Sequence, residues 1–171
     1  YDPCCGSGTI AIEAAQIACG IAAGSRRRFA FEKLLPFQPH VWQTMKEQAK
    51  AAEHAPSAPV FGSDVAHRMV DFAQRNAERA GVAQAVQLRG GDALQRMPPC
   101  ETPGVMLLNP PYGERIAAAG AAGQNASERA TLRAQGAAQG RETADTDDGG
   151  EFFSQLAAHW KKHYPGWSAW M

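Results

Sequence analysis

Short apolar runs that alternate with amphipathic stretches constrain the fold of this 171-residue chain more than any other feature. Strands are predicted at 60–64, from 86 to about 90, at 105–108 and at 167–171, and helices at 9–18, from 39 onward, at 67–80 and at 152–163. The run at 105–108 is apolar throughout, as expected for a central parallel strand covered on both faces. The alternation predicts an α/β fold with an open, mostly parallel sheet.

Apolar positions predict which faces of the helices turn inward. The first helix is expected to carry its apolar face at Ile10, Ala14, Ile17 and Ile21. The second helix, which has Pro39 in its first turn, has an apolar side of Val41, Trp42, Met45, Ala49 and Ala52. The third is expected to bury Met69, Phe72, Ala73, Ala77 and Ala80 and to end at Gly81.

Polar residues occupy the positions where four strands are expected to end. These residues are Asp2, Asp64, Asp92 and Asn109. In open parallel α/β sheets, ligands bind beyond the carboxyl ends of the strands. We therefore expect the four side chains, which come from separate strands, to converge on one crevice.

A glycine-rich turn with the sequence Asp-Pro-Cys-Cys-Gly-Ser-Gly-Thr covers residues 2–9. Gly6 and Gly8 permit positive φ and the close approach of a ligand to the backbone. A carboxylate would face the N–H groups at the start of the helix, which are those of Ser7, Gly8 and Thr9. Asp2 can pair with an ammonium group, so the turn suits a methionine-like moiety. A phosphate-cradling loop would instead end in Gly-Lys-Ser/Thr.

Two acids are candidates for the nucleoside part of a cofactor. Asp64 is placed to accept hydrogen bonds from two ribose hydroxyls, and its alternative role is to cap the following helix. Asp92 could accept a hydrogen bond from an adenine amino group, and its alternative role is that of a turn residue after Gly90 and Gly91. A dinucleotide site would require an acid about 20 residues after the glycine turn, and Asp64 lies much further along the chain.

The sequence Asn-Pro-Pro-Tyr follows the apolar run, at 109–112. The Asn109 side-chain oxygen and the Pro110 carbonyl could accept both N–H hydrogens of an exocyclic amine and stabilise positive charge on its nitrogen. Pro111 makes the turn rigid, and the Tyr112 ring could stack on a base. The alternative is a tight turn of structural importance only. Combined with the glycine turn, the motif predicts methyl transfer from S-adenosylmethionine to a nucleobase nitrogen.

Charge, cysteine content and hydropathy argue against several classes of protein. The 17 basic and 17 acidic residues balance, which argues against strong nonspecific binding of nucleic acid by this segment alone. The four cysteines lack metal-binding spacing and predict reduced cytosolic thiols. No apolar run is long enough to span a membrane, so no membrane partner is expected. A metal site is not favoured at His159 and His163. The basic residues at 26–28 and 161–162 are interpreted as solvated surface charge rather than as phosphate contacts.

Residues 117–150 break the alternating pattern because Leu132 is their only large aliphatic residue. A segment with so little to bury does not offset the entropy of ordering, which predicts a flexible surface insertion. A lid over the site is the alternative, since the segment leaves directly from the Asn-Pro-Pro-Tyr turn. Arg115, just before it, could reach a substrate backbone or form a structural ion pair.

The segments DPCCGSGTIAIEAA, FAFEKL, QRNAERAGV and NPPYGER resemble the THUMP-associated ribosomal RNA large-subunit guanine-N2 methyltransferases. The resemblance covers residues 1 to about 116 and resumes at about 151. It implies a Rossmann-like class I methyltransferase fold, S-adenosylmethionine as donor, and transfer to N2 of a guanine in 23S rRNA. The cofactor contacts that it implies are Asp2, Gly6, Gly8, Asp64 and Asp92, with the target base at 109–112.

The chain departs from this family in ways that bear on activity. Relatives often carry a second acid two residues after the ribose-binding one, where this chain has Ala66. The RNA-binding THUMP region and the last sheet strands are absent, so we expect a cytoplasmic catalytic-domain fragment, residues 1–171, with its sheet cut at both ends. The alternatives are a tRNA guanine-N2 or nucleic-acid adenine-N6 methyltransferase and, in another class, a non-catalytic RNA-binding fragment.

Overall fold

The computed structural model describes residues 1–110 and 149–171. Their helices and strands, in chain order, are α1 (Thr9–Ala18), α2 (Pro39–Ala51), β1 (Val60–Asp64), α3 (His67–Ala80), β2 (Val86–Gly90), β3 (Val105–Leu107), α4 (Gly149–His163) and β4 (Ser168–Trp170). A short 3-10 helix, Ala30–Lys33, precedes α2. The predicted alternation of strands and helices is confirmed, and α4 begins at 149, three residues earlier than expected.

The strands pair in parallel, β1 with β2 and β3 with β4. Residues 1 and 2 join the two pairs, because the Asp2 N–H donates to the Phe61 carbonyl at 2.9 Å and the Leu107 N–H donates to the Tyr1 carbonyl at 3.0 Å. The bridge between Asp2 and Gly62 is also parallel. The spatial order is therefore β2, β1, residues 1–2, β3, β4, with the carboxyl ends of these segments at one edge.

Two apolar clusters cover this sheet. One packs α1 and α3 against β1 and β2, and its members include Ala11, Ile12, Ala15, Ala77, Val82 and Val86. The other packs α4 against β3 and contains Met106, Leu108, Leu156, Trp160 and Tyr164. Of the α3 residues predicted to be buried, Ala73 and Ala77 are fully buried and Met69, Phe72 and Ala80 are partly buried. Helix α3 ends at Gly81, with the left-handed φ of 75° expected of a glycine cap.

The predicted inward face of α1 is wrong at Ile17, which is 77% exposed. The helix instead buries Ala11, Ile12, Ala15 and Ala18. The reason is close packing: a Cβ atom on Gly8, just before α1, would lie 3.2 Å from the Cα of Ala73 in α3. Two helices that approach so closely leave room mainly for small side chains between them, so the buried face of α1 consists of three alanines and Ile12.

Two further expectations about burial are corrected. Helix α2 contains no buried residue, because its apolar side packs on a local aromatic group: Trp42 meets the rings of Phe29 and Phe31 edge-on, with centroids 5.6 and 5.0 Å apart. Strand β3 is covered on one face by the described residues. Met106 and Leu108 lie in the core with α4, whereas Val105 and Leu107 are about half exposed.

Candidate functional site

The glycine-rich turn adopts the backbone geometry that its sequence predicts. Gly6 and Gly8 have φ of 52° and 89°, in the left-handed region that L side chains rarely adopt. The Gly8 N–H donates to the Cys5 carbonyl at 2.7 Å, so it is engaged within the turn itself. The N–H groups of Ser7 and Thr9, both exposed residues, remain the amides that a carboxylate could meet. The predicted binding role of Gly8 therefore rests on its missing side chain.

Gly8→Ala is expected to lower the free energy of unfolding by about 3 kcal/mol, and Gly6→Ala by about 1 kcal/mol. Both changes place a side chain at positive φ. At Gly8 the new Cβ would also lie 2.9 Å from the Cβ of Ala73, whereas at Gly6 its nearest neighbour is the Met69 Cε at 3.9 Å. Urea unfolding of the two variants measures the difference, and equal losses would contradict the packing argument.

Asp2 is buried at the centre of the strand edge, with 3% of its surface exposed. Its Oδ1 accepts the Cys4 N–H at 3.1 Å, and its carbonyl accepts the Ser63 N–H at 2.8 Å. Burial raises the pKa of the Asp2 carboxyl from 3.8 to about 6; the Cys4 hydrogen bond and the N-terminal amino group oppose this rise, and the charge of Asp64 adds to it. A buried carboxylate beside a second acid favours a cationic ligand.

The raised pKa of Asp2 predicts how stability depends on pH. The folded chain binds the Asp2 proton more tightly than the unfolded chain does, so this contribution is present below about pH 4 and is lost as the pH rises to about 6. We expect Asp2→Asn, which removes the charge, to gain up to about 3 kcal/mol relative to wild type between pH 4 and pH 7.5. Urea unfolding of both proteins at the two pH values checks this, and a constant difference would contradict it.

Asp64, the last residue of β1, ties the glycine turn to the neighbouring strand. Its Oδ2 accepts the Gly6 N–H at 2.9 Å and its Oδ1 accepts the Ala66 N–H at 2.9 Å. Ala66 itself is the N-cap residue of α3, and no side chain caps that helix, so the alternative capping role of Asp64 is not what the structure shows. A carboxylate has about four acceptor positions, which leaves two for the hydroxyl groups of a ligand.

Asp92 stabilises a turn, and the loop that contains this turn is anchored to the helix α4. Asp92 Oδ1 accepts the Leu94 N–H at 2.9 Å, which is the turn geometry given as its alternative role. Further along the loop, the Arg96 carbonyl meets the Tyr164 hydroxyl at 2.9 Å and the His159 Nε2 at 2.7 Å. These contacts anchor the loop to α4 and to the residue just after it. Neither of these two side-chain roles could be predicted from the sequence, because a backbone carbonyl that accepts hydrogen bonds leaves no signal in the sequence.

The thiol of Cys4 lies near all three acids. Burial raises its pKa to about 12, and the negative charges of Asp2, Asp64 and Asp92 add to this effect. Burial likewise raises the pKa of Cys5 to about 12. Both thiols are therefore protonated near neutral pH, and all four cysteines of the chain are free. The expected convergence is therefore confirmed for the three acids, whereas for Asn109, the fourth predicted member, it stays a prediction.

Asn109 follows β3, the strand next to residues 1–2, and its side chain is exposed, whereas Pro110 is fully buried. The predicted substrate residues Pro111, Tyr112 and Arg115 lie outside the described residues. So does the predicted insertion, except for residues 149 and 150, which belong to α4.

Among the described residues, no His, Cys, Asp and Glu group could hold a metal ion, and no helix is long and apolar enough to cross a membrane.

A family model described as "RMKL-like, methyltransferase domain" matches residues 1–161. The chain is similar to ribosomal RNA large subunit methyltransferase K/L of Shewanella loihica, with 48% identity over 120 residues that make up 67% of this chain and 17% of that protein. It is 42% identical over 121 residues to the protein of the same name from Psychromonas ingrahamii, covering 67% of this chain and 16% of that one. The chain thus spans about a sixth of the length of these relatives.

Solved structures extend the likeness to nearly the whole chain. SMU.472, named as a methyltransferase and crystallised with SAH, is 26% identical with a TM-score of 0.72, over 98% of this chain and 37% of that one. A protein from Listeria monocytogenes named as a predicted N6-adenine-specific DNA methylase is 28% identical with a TM-score of 0.69, over 99% of this chain and 37% of that one. The predicted Rossmann-like methyltransferase fold is confirmed.

Proposed function

This chain belongs to the RMKL-like methyltransferase domain family, and we propose that it transfers the methyl group of S-adenosylmethionine to N2 of a guanine in 23S rRNA. The observation that carries the proposal is the convergence of Asp2, Asp64 and Asp92 on the glycine turn, one strand away from Asn109. The relatives named as ribosomal RNA methyltransferases support the substrate, and the neighbour crystallised with SAH supports the donor.

The proposed cofactor contacts follow the charges around the turn. The carboxylate of the methionine moiety meets the amides of Ser7 and Thr9, at the positive end of α1. Its ammonium group pairs with Asp2, which offsets the cost of charging a buried acid. The ribose hydroxyls donate to the open positions of Asp64, and the adenine amino group donates to Asp92.

Asn109 and Pro110 are the proposed catalytic residues. Their side-chain and main-chain oxygens accept the two N–H hydrogens of the target amine, which localises the nitrogen lone pair and stabilises the positive charge that develops. S-adenosylmethionine, when bound, would supply the methyl group and leave as S-adenosylhomocysteine, and the two acceptors would hold the amine so that its lone pair faces that group in line. The proton that the amine gives up on methylation would pass to solvent water. Because the thiols of Cys4 and Cys5 stay protonated, neither competes for the methyl group as a thiolate. Pro111, Tyr112 and Arg115 are proposed to hold the base and its backbone.

Transfer of radiolabelled methyl groups tests the substrate class. The chain is incubated with labelled S-adenosylmethionine and, separately, with undermethylated 23S rRNA, tRNA and DNA, and the products are digested to nucleosides. Label in N2-methylguanosine from 23S rRNA is the expected result. Label in N6-methyladenine would instead favour the adenine-N6 alternative, which the name of the Listeria neighbour supports. Cofactor binding without transfer to any substrate would favour a non-catalytic fragment.

We also propose a cytoplasmic location, which the proposed rRNA substrate supports. Because the chain is electrically neutral and covers about a sixth of its curated relatives, we propose that the main RNA-binding region lies outside these 171 residues.

A further inference from the structure

A cavity of about 1050 Å³ opens between α2 and the segment that follows α1. The charged side chains on its wall are Arg26, Arg27, Arg28, Lys46, Lys50, Glu32 and Glu53. Five cations and two carboxylates leave an excess of three positive charges at this one place, although the chain as a whole is neutral. Surface charge is therefore distributed unevenly, and this cavity carries an excess of positive charge.

Two of the cations are engaged within the protein. Arg26 donates to the carbonyl of Arg79 at 3.1 Å, and Lys50 forms an ion pair with Glu53 at 2.5 Å. The Glu32 carboxylate accepts the Phe29 N–H at 2.8 Å.

Three exposed cations, Arg27, Arg28 and Lys46, have no carboxylate partner among the described residues. Two of them are held over aromatic rings, Arg27 at 4.8 Å from the Phe29 centroid and Lys46 at 5.9 Å from the Trp42 centroid. The aromatic rings thus help to fix the positions of Arg27 and Lys46, whose charges remain exposed to solvent.

An apolar groove of about 660 Å³ adjoins this basic cavity, and Trp42 and Met45 line both. Its other apolar walls are Phe31, Leu34, Leu35, Phe37 and Val41. Leu35 is 97% exposed and Leu34 is 64% exposed, so the groove presents a contiguous apolar surface to solvent.

We propose that the basic cavity and the apolar groove together bind an unpaired segment of RNA, with its phosphates on the cations and its bases in the groove. Single-stranded RNA combines a charged backbone with exposed apolar base faces, and proteins bind it with cationic grooves interleaved with aromatic side chains. The inference rests on the proposed RNA substrate. Helix α1 has ten residues, so the cavity near its far end lies about 15 Å from the glycine turn, where it would hold RNA that flanks the target base.

Fluorescence anisotropy of the 171-residue chain with a labelled twelve-nucleotide oligouridylate tests the cations. The triple variant Arg27→Ala, Arg28→Ala and Lys46→Ala is expected to raise Kd about tenfold or more at 50 mM salt and to flatten the slope of log K against log salt by about 2. The matched control carries Arg75→Ala, Arg89→Ala and Lys161→Ala, which remove three exposed cations on other elements. Equal weakening by the control, or no binding by wild type, would overturn the proposal.

The groove is tested by Phe31→Leu, which keeps an apolar side chain but removes the ring. Loss of a stacked base is expected to raise Kd for the single strand about fivefold or more and to leave binding of a twelve-base-pair RNA duplex unchanged. A duplex that binds wild type as tightly as the single strand does would overturn the preference for unpaired RNA. The affinity for S-adenosylmethionine, measured on the same samples, distinguishes failure of this RNA site from failure of the proposed function. A wild-type chain that does not bind the cofactor would count against the proposed function and not against this RNA site.

Discussion

The Asn109→Ala variant is expected to lose methyl transfer by about 100-fold or more while keeping its affinity for S-adenosylmethionine within about twofold. Asn109 is exposed after β3, and the proposed role of its side-chain oxygen concerns only the target amine. Removing it takes away an acceptor that strengthens as charge develops on the nitrogen. The cofactor contacts at the glycine turn are left in place.

The measurement pairs single-turnover transfer with calorimetric titration of the cofactor. Gln87→Ala, which removes an exposed amide from β2, is the matched control and should change neither quantity. Transfer by Asn109→Ala at close to the wild-type rate would show that the amide has no part in catalysis.

Replacement of Asp64 by Ala is expected to raise the cofactor Kd about 30-fold or more, since hydrogen bonds between hydroxyls and a carboxylate contribute about 1.5–3 kcal/mol each. The change also removes the acceptor of the Gly6 and Ala66 N–H groups, which loosens the turn that faces the ligand. Asp64→Asn should retain part of the affinity, because an amide oxygen can accept from one of the two N–H groups.

Calorimetry measures this effect, with Asp71→Ala as the control that removes an exposed acid from α3. A cofactor affinity that is the same in Asp64→Ala and in wild type would contradict the ribose-binding role. Urea unfolding of both variants separates loss of binding from loss of fold.

The elements of this fold are predictable because their signals are local. The bounds of α1 and α3 follow from apolar spacing, a glycine turn and a glycine cap, and the bounds of β1 from a short apolar run that ends on Asp64. The same runs place acids at strand ends, and a parallel sheet brings those ends together. The convergence of Asp2, Asp64 and Asp92 could therefore be predicted without coordinates.

Features that depend on contacts between distant segments could not be predicted in this way. The spacing of apolar residues does not show that α1 buries mainly alanines, because the buried face of the helix depends on the close approach of Ala73 in α3. Nor does it show that Tyr164 and His159 hold the Arg96 carbonyl, more than 60 residues away. The raised pKa of Asp2 likewise comes from burial in the assembled sheet.

A crystal structure of the chain with S-adenosylhomocysteine will show whether the methyl donor and the acceptor amine meet in one pocket. We expect the cofactor sulfur and the Asn109 side chain to open onto the same cavity, so that an amine nitrogen about 3 Å from the Asn109 oxygen could approach a methyl carbon on that sulfur to about 3–3.5 Å. A cofactor bound elsewhere, or an Asn109 side chain separated from the sulfur by protein atoms, would contradict it.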